Sequence, residues 1–300
     1  MLELAVIQEL DSLKKLASKY AWCGQEERNY LESEGGISIR KPHFYSSIPT
    51  ISDIESSFEY DSLGNSLPVF MPELYDLASM AESLASINKH LPNDLSTFCS
   101  DTGFEWANGQ FDRTDAVHYY GFIREYNPNT ILEIGSGWST RIAASAASFA
   151  GSKVICIDPE PRANLSGLNV EFRKSRIESF DPLDIASLLS PGDILFIDSS
   201  HALKTGNDCV FIYCLLFPIL PRGLIIHIHD LLYLPFSRPR SHLIKERLYW
   251  YEDYLVHLLI SAGRLRPIIA NNYLQRSAKK SMLLATPNGV GGASMWFEVL

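Results

Sequence analysis

Three features of this 300-residue sequence predict an α/β chain built on a doubly wound, mainly parallel seven-stranded sheet with helices on both faces. From about Phe111 onward, short apolar runs alternate with helix-period segments. The apolar runs are continuous, as expected of strands buried on both faces. Three of them end in polar groups: Asp158, Asp198 and the pair His229-Asp230. In open α/β sheets ligands bind outside the carboxyl ends of the strands, so these endings mark a crevice.

The elements follow in order. Leu2, Val6, Leu10, Leu13 and Leu16 recur at helical spacing and predict an amphipathic helix over about 2–20. Residues 21–70 are rich in Ser, Gly, Pro and Glu without a sustained period and read as irregular. A second helix is expected from Pro72 to His90, and Pro92 to Asp112 reads as loop. Residues 1–110 thus form a mostly helical and irregular N-terminal cap region, and 111–300 the α/β domain. Within that domain Ala116–Glu125 reads as a helix and Asn127-Pro128-Asn129 as a turn. Strands are expected at 130–134, 153–157, 170–173, 193–197, 224–228, about 267–270 and 295–300, with helices at 140–150, 185–189, 208–217 and 244–261.

Composition bounds the function. The chain is 46% hydrophobic and 20% charged, with a net charge of −9. An acidic surface disfavours nucleic acid and anionic membrane as partners. The most apolar stretch, Cys209–Leu220, is too short to span a bilayer. The five cysteines form no CxxC pair and read as free thiols, which fits a cytoplasmic location. The N-terminus has acids where a secretory signal would carry bases.

The turn Glu133-Ile-Gly135-Ser-Gly137-Trp-Ser139-Thr140 joins the first strand of the α/β domain to its helix. Gly135 and Gly137 permit a tight turn and close backbone approach to a ligand. Ser139 or Thr140 is placed to cap the helix start. A dinucleotide fingerprint would place a third glycine where Thr140 stands, and the Gly-Lys-Ser/Thr ending of a P-loop is absent. Asp158 ends the second strand, where an acid hydrogen-bonds ribose hydroxyls. Glu133 beside the turn would repel nucleotide phosphates but not a cationic cofactor. These two acids favour S-adenosylmethionine over a nicotinamide dinucleotide.

Asp198-Ser-Ser-His201 follows the fourth strand and His227-Ile-His229-Asp230 ends the fifth. Asp198, His229 and Asp230 offer two carboxylates and an imidazole, a donor set suited to Mg or Mn. A polar cluster that merely caps the strands is the plainer alternative. Pro235–Arg240 reads as a loop over the crevice. Tyr249-Trp250-Tyr251 and Tyr254 fall on the following helix and are placed either for packing or for an aromatic or sugar site.

With these residues in view, the stretch from about Phe111 to Leu300 resembles the class I S-adenosylmethionine-dependent methyltransferases, whose fold is Rossmann-like. The resemblance rests on LEIGSG (132–137) with its following ST, CIDPE (156–160), DILFIDSSH (193–201) and IIHIHD (225–230). The last two are most similar to a subgroup of sugar and natural-product O-methyltransferases. Trp138 stands where the family often has a further glycine. The resemblance implies that Gly135, Ser136, Gly137, Ser139 and Thr140 approach the methionine part of the cofactor, with Glu133 beneath it. It implies that Asp158 and Pro159 lie at the ribose, and Ile177 and Glu178 at the adenine. In the metal-dependent catechol O-methyltransferase group, an acid ends strand four, an acid–amide pair ends strand five, and a base stands three positions beyond the first acid. Asp198, His229-Asp230 and His201 fall on those places, with His201 as the expected base and Asp198 beside it. The implied activity is methyl transfer from S-adenosylmethionine to a hydroxyl of a small molecule or sugar, with a divalent metal as an optional assistant; an oligomer is compatible. The alternatives are a nicotinamide-dependent oxidoreductase and a non-catalytic S-adenosylmethionine-binding protein.

Overall fold

The computed structural model describes residues 4–40, 45–277 and 283–300. Contacts divide the chain into two units, Met1–Ser57 and Phe58–Leu300.

The first unit holds α1 (Leu4–Tyr20), α2 (Gln25–Ser33) and α3 (Ile51–Glu55). The apolar stripe of α1 is as periodic as the sequence suggests, and Val6, Leu10, Leu13 and Leu16 are exposed. The segment read as irregular contains two short helices. α3 is started by a reciprocal cap: the Asp53 amide donates to the Thr50 hydroxyl, and the Thr50 amide donates to the Asp53 carboxylate. A five-residue helix fixed by such a cap leaves no apolar period to detect.

The second unit begins earlier than the expected boundary near 110. α4 (Leu77–Asn88) buries Met80, Leu84 and Ile87 against the sheet domain, and Phe70, Tyr75, Phe98 and Phe104 join the same core. α5 (Arg113–Tyr126) packs on α4 so closely that an added Cβ at Gly121 would lie 2.9 Å from the Ile87 carbonyl oxygen. Residues 58–110 thus fall in the same compact unit as the sheet and contribute buried side chains to its core.

The sheet comprises β1 (Thr130–Ile134), β2 (Lys153–Ile157), β3 (Glu171–Arg173), β4 (Ile194–Ile197), β5 (Ile225–Ile228), β6 (Leu265–Ala270) and β7 (Met295–Val299), in the order β3-β2-β1-β4-β5-β7-β6. β7 runs antiparallel to both neighbours and the rest are parallel. This is the seven-stranded Rossmann-like arrangement expected. Ile131, Leu132, Ile155, Leu195, Phe196, Ile226 and Phe297 are buried on the central strands. The Asp193 carboxylate accepts from the Thr130 amide at 2.8 Å and the Ser190 amide at 2.8 Å, pinning the turn before β4 to β1. Strand order reverses between β1 and β4, so the crevice lies at the carboxyl ends of these two strands. α6 (Trp138–Ala150), α7 (Pro182–Ala186), α8 (Asp208–Val210), α9 (Glu252–Ser261) and α10 (Asn271–Ser277) complete the fold. No described helix is long and apolar enough to cross a membrane.

Two helical readings are corrected. The apolar run at 208–217 is α8 followed by a π-turn at Phe211–Leu216 and a 3-10 turn at Phe217–Ile219, where Pro218 removes a donor. The helix expected over 244–261 is broken. A short π-turn at His242–Glu246 ends at Arg247, whose φ of 54° is left-handed, and α9 starts only at Glu252. Tyr249, Trp250 and Tyr251 therefore lie in the connection between them.

Candidate active site

A cleft of about 680 Å³ opens at the ends of β1, β2, β4 and β5. Its floor is the turn after β1. Gly135 has φ +91°, and an added Cβ would sit 2.7 Å from the Asp198 carbonyl oxygen, so only glycine fits between the two strand ends. The turn is held from below. Thr140, in the first turn of α6, accepts from the Gly137 amide at 3.0 Å and donates to Glu133 Oε2 at 2.6 Å. Glu133 also accepts from the Tyr119 hydroxyl at 2.9 Å. Glu133 is fully buried, and burial pushes its carboxyl up to about 7 against the pull of those hydrogen bonds. Glu133 and Thr140 lie beneath the turn and do not line the cleft. Its influence on a ligand passes through Thr140 and the turn rather than through an exposed charge.

Asp158 straps the turn from the side. Its Oδ2 accepts from the Ser136 amide at 2.7 Å and the Ser136 hydroxyl at 3.0 Å, and its Oδ1 accepts from the Glu160 amide at 2.7 Å. The carboxylate borders the cleft with Gly135, Ser136, Gly137, Ser139, Pro159, Ile177 and Glu178, so these eight predicted residues share one cleft. Trp138, in the place of a further glycine, also lines the cleft and meets Phe104 edge-on at 6.3 Å. Tyr119 is fully buried in the core.

The strand-end cluster lines the same cleft, with Asp198 directly beside Gly135. His201 Nε2 lies 3.8 Å from Asp198 Oδ1 and 3.6 Å from Asp230 Oδ2. These three residues place one ligand atom each within 4.8 Å of one another. His229 sits beside them, with Nε2 3.8 Å from Asp230 Oδ1. The expected metal set of Asp198, His229 and Asp230 is thus regrouped: His201 points its nitrogen between the two carboxylates, and His229 flanks them. Both His201 and Asp230 are left-handed, with φ 58° and 57°, a conformation uncommon for non-glycine residues and most often adopted by Asn, Asp and His. The surrounding protein and Asp230 push the Asp198 carboxyl up, although His229 and His201 pull it down. Burial alone would lower the His201 pKa. The hydrogen bond and charge of Glu252, together with Asp230 and Asp198, outweigh it and raise the pKa above the usual imidazole value. The same balance, with Asp198, Asp115 and Asp230 outweighing burial, raises His229. The Asp198 and Asp230 carboxylates, close together at the two strand ends, are the hard oxygen donors that a divalent cation takes.

Residues 132–231 match the family model described as a methyltransferase domain. The matched stretch covers about a third of the chain and includes the glycine turn, Asp158, Asp198, His201, His229 and Asp230. A 57-residue segment is 44% identical to an uncharacterized protein of Archaeoglobus fulgidus, covering 18% of this chain and 26% of that protein. Among solved structures, the chain is similar to a Staphylococcus aureus protein provisionally described as a caffeoyl-CoA O-methyltransferase. That match has 15% identity and a TM-score of 0.41, and covers 75% of this chain and 99% of the other. It is also similar to MycE, from the mycinamycin biosynthetic pathway, solved with Mg and S-adenosylhomocysteine. Here identity is 20% and the TM-score 0.35, with 70% of this chain and 49% of MycE covered.

One residue of the site has no motif to announce it. Glu252, the first residue of α9, reaches across to His201 and is almost fully buried. Trp250, open in the sequence to packing or to an aromatic or sugar site, lines the cleft and also packs: the His201 ring lies 4.5 Å from its centroid and the Arg238 guanidinium 4.8 Å.

Proposed function

We propose that this methyltransferase moves the methyl group of S-adenosylmethionine to a hydroxyl oxygen of a small molecule or sugar, with His201 as the base. The observation that carries this reading is that the His201 Nε2 stands within 4 Å of both Asp198 and Asp230 in the same cleft that the glycine turn and Asp158 line.

S-adenosylmethionine supplies a sulfonium-activated methyl. The turn 135–137 gives its backbone to the amino-acid part of that ligand, and Asp158 Oδ1 has an acceptor position left for a ribose hydroxyl. A divalent ion held by Asp198 and Asp230, with His229 alongside, would lower the pKa of an acceptor hydroxyl. A neutral sugar hydroxyl is a poor nucleophile at pH 7. His201 Nε2 takes its proton as the oxygen attacks the methyl carbon. The C–S bond breaks with its electron pair going to sulfur, and the proton ends on the imidazole.

The test is a titration of the purified protein with S-adenosylhomocysteine and, separately, with NAD. Binding of the first alone supports the reading, and binding of NAD alone makes the protein a nicotinamide-dependent oxidoreductase. Turnover after chelation, restored or not by Mg or Mn, then decides the metal.

A further inference from the structure

We propose that Glu252 is a positioning residue that fixes His201 in the Nδ1–H tautomer and so presents its Nε2 lone pair to the acceptor hydroxyl. This rests on the reading of His201 as the base.

Glu252 Oε2 lies 2.6 Å from His201 Nδ1. Its Oε1 accepts from the Tyr213 hydroxyl at 2.6 Å and the Ser199 hydroxyl at 2.7 Å. An ionised carboxylate offers acceptors only, so the imidazole nitrogen facing it must carry the proton. The remaining nitrogen then has its lone pair free in the cleft, which is what a base requires. Each donor around Glu252 is placed by a different element. Tyr213 sits in the π-turn that interrupts the helix after α8. Ser199 belongs to the loop after β4, where its hydroxyl also accepts from the His201 amide at 3.0 Å. That loop is held again at Ser200, whose amide and hydroxyl both donate to Asp208 at 2.6 Å.

The ring plane is fixed as well. The Tyr251 amide donates to the His201 carbonyl at 3.0 Å, which ties the start of α9 to the residue it serves. Trp250 lies against the ring and is backed by Arg238, which pairs with Asp253 at 3.3 Å. The break in the predicted helix thus has a use: it lets Trp250, Tyr251 and Glu252 meet His201 together. A partner that orients a histidine through its second nitrogen is a recurring device in base catalysis.

The test pairs ring nitrogen-15 spectroscopy with kinetics. In the full-length protein, labelled at histidine and held at a pH where the ring is neutral, the His201 signals identified by their loss in His201→Asn should show protonated Nδ1 and bare Nε2. The opposite tautomer in the unaltered protein overturns the proposal without any variant at 252. Glu252→Gln offers an amide N–H to Nδ1 and should move the proton to Nε2. Turnover should then fall about 10²–10⁴-fold, the range of a lost general base. S-adenosylhomocysteine affinity by calorimetry should stay within about threefold, well under the tenfold that 1.4 kcal/mol represents. Glu252→Asp, which keeps an acceptor, should recover at least about tenfold over the glutamine variant. Near-normal turnover in Glu252→Gln, or an unmoved tautomer, refutes the positioning role. If His201→Ala is itself fully active, the reading of His201 as base fails instead, and the two failures are told apart.

Discussion

At the scale of single residues, the cleft rests on carboxylates with different jobs. Asp158 already accepts two backbone amides and one hydroxyl, so it shapes the glycine turn as well as offering oxygen to a ribose. Asp158→Ala should weaken S-adenosylhomocysteine binding by about ten- to a hundredfold, because hydrogen bonds to a charged group contribute roughly 1.5–3 kcal/mol. Isothermal calorimetry reads this directly, and unchanged affinity removes Asp158 from the ligand. His201→Ala should cut turnover by about 10²–10⁴-fold at unchanged cofactor affinity. Most of these residues were legible in the sequence because they sit within a few positions of strand ends. Glu252 was not, since 51 residues separate it from His201. The helix expected over 244–261 leaves Glu252 an unmarked mid-helix acid, and only burial distinguishes it. The opposite lesson comes from Glu133. Its position was read correctly, but as a charge facing the ligand. The fold buries it and moves its carboxyl up to about 7, so it acts as a hydrogen-bonded prop.

At the scale of elements, the turn between β1 and α6 is the least tolerant piece. Gly135→Ala would place a methyl 2.7 Å from a backbone oxygen and force a side-chain residue to φ +91°. The backbone cost alone is about 1–2 kcal/mol, and the clash displaces the end of β4 that carries Asp198. Loss of at least about tenfold in S-adenosylhomocysteine affinity is expected, together with a lower unfolding midpoint. An alanine variant that binds normally would mean the two strand ends can separate freely. α4 tests a different link. Leu84 is 2% exposed on the face that packs into the sheet domain, so Leu84→Ala should cost about 2–5 kcal/mol in denaturant unfolding. A cost below about 1 kcal/mol would show that α4 is only laid on the surface.

For the whole molecule, the boundary matters. A chain shortened to begin at Asp112 loses α4, Phe70, Tyr75, Phe98 and Phe104 from its core. Each buried side chain of this size contributes roughly 1.5–3 kcal/mol, so the seven lost amount to about 10–20 kcal/mol, as large as the 5–15 kcal/mol by which domains are usually stable. That chain should be unfolded by circular dichroism, whereas a cooperative transition would place residues 58–110 outside the core. Acid stability is a second global property. His118 is fully buried against Asp115 and Asn271, and burial lowers its pKa to about 4, with Asp115 and Asn271 pulling the other way. Its folded value lies below the unfolded value of about 6.5. Its contribution is therefore complete above pH 6.5 and is lost as pH falls toward 4. Two and a half units correspond to about 3 kcal/mol. Glu133 and Asp253, raised to about 7 and about 6, act in the opposite direction over the same window. The difference between the protein and its His118→Asn variant isolates the histidine. The variant should be less stable at pH 7.5 and lose less between pH 7 and pH 5. Parallel pH profiles would mean the ring is not held neutral.

Local patterning determined the seven strands of this chain, because continuous apolar runs bounded by Gly, Pro and Asp admit few alternatives, and it named the residues at the strand ends. The polar residues at the carboxyl ends of those strands implied a crevice there, whereas the strand order that sets Gly135 beside Asp198 came from the structure. Only the tertiary structure decided three further matters. Packing against α5 drew residues 58–110 into the core, a contact no local period encodes. The left-handed turn at Arg247 broke an otherwise helical stretch so that Trp250 and Glu252 could reach His201. Burial set the charge state of Glu133 and the orientation of His201, since desolvation and hydrogen bonding depend on neighbours brought from distant parts of the chain rather than on the residue itself.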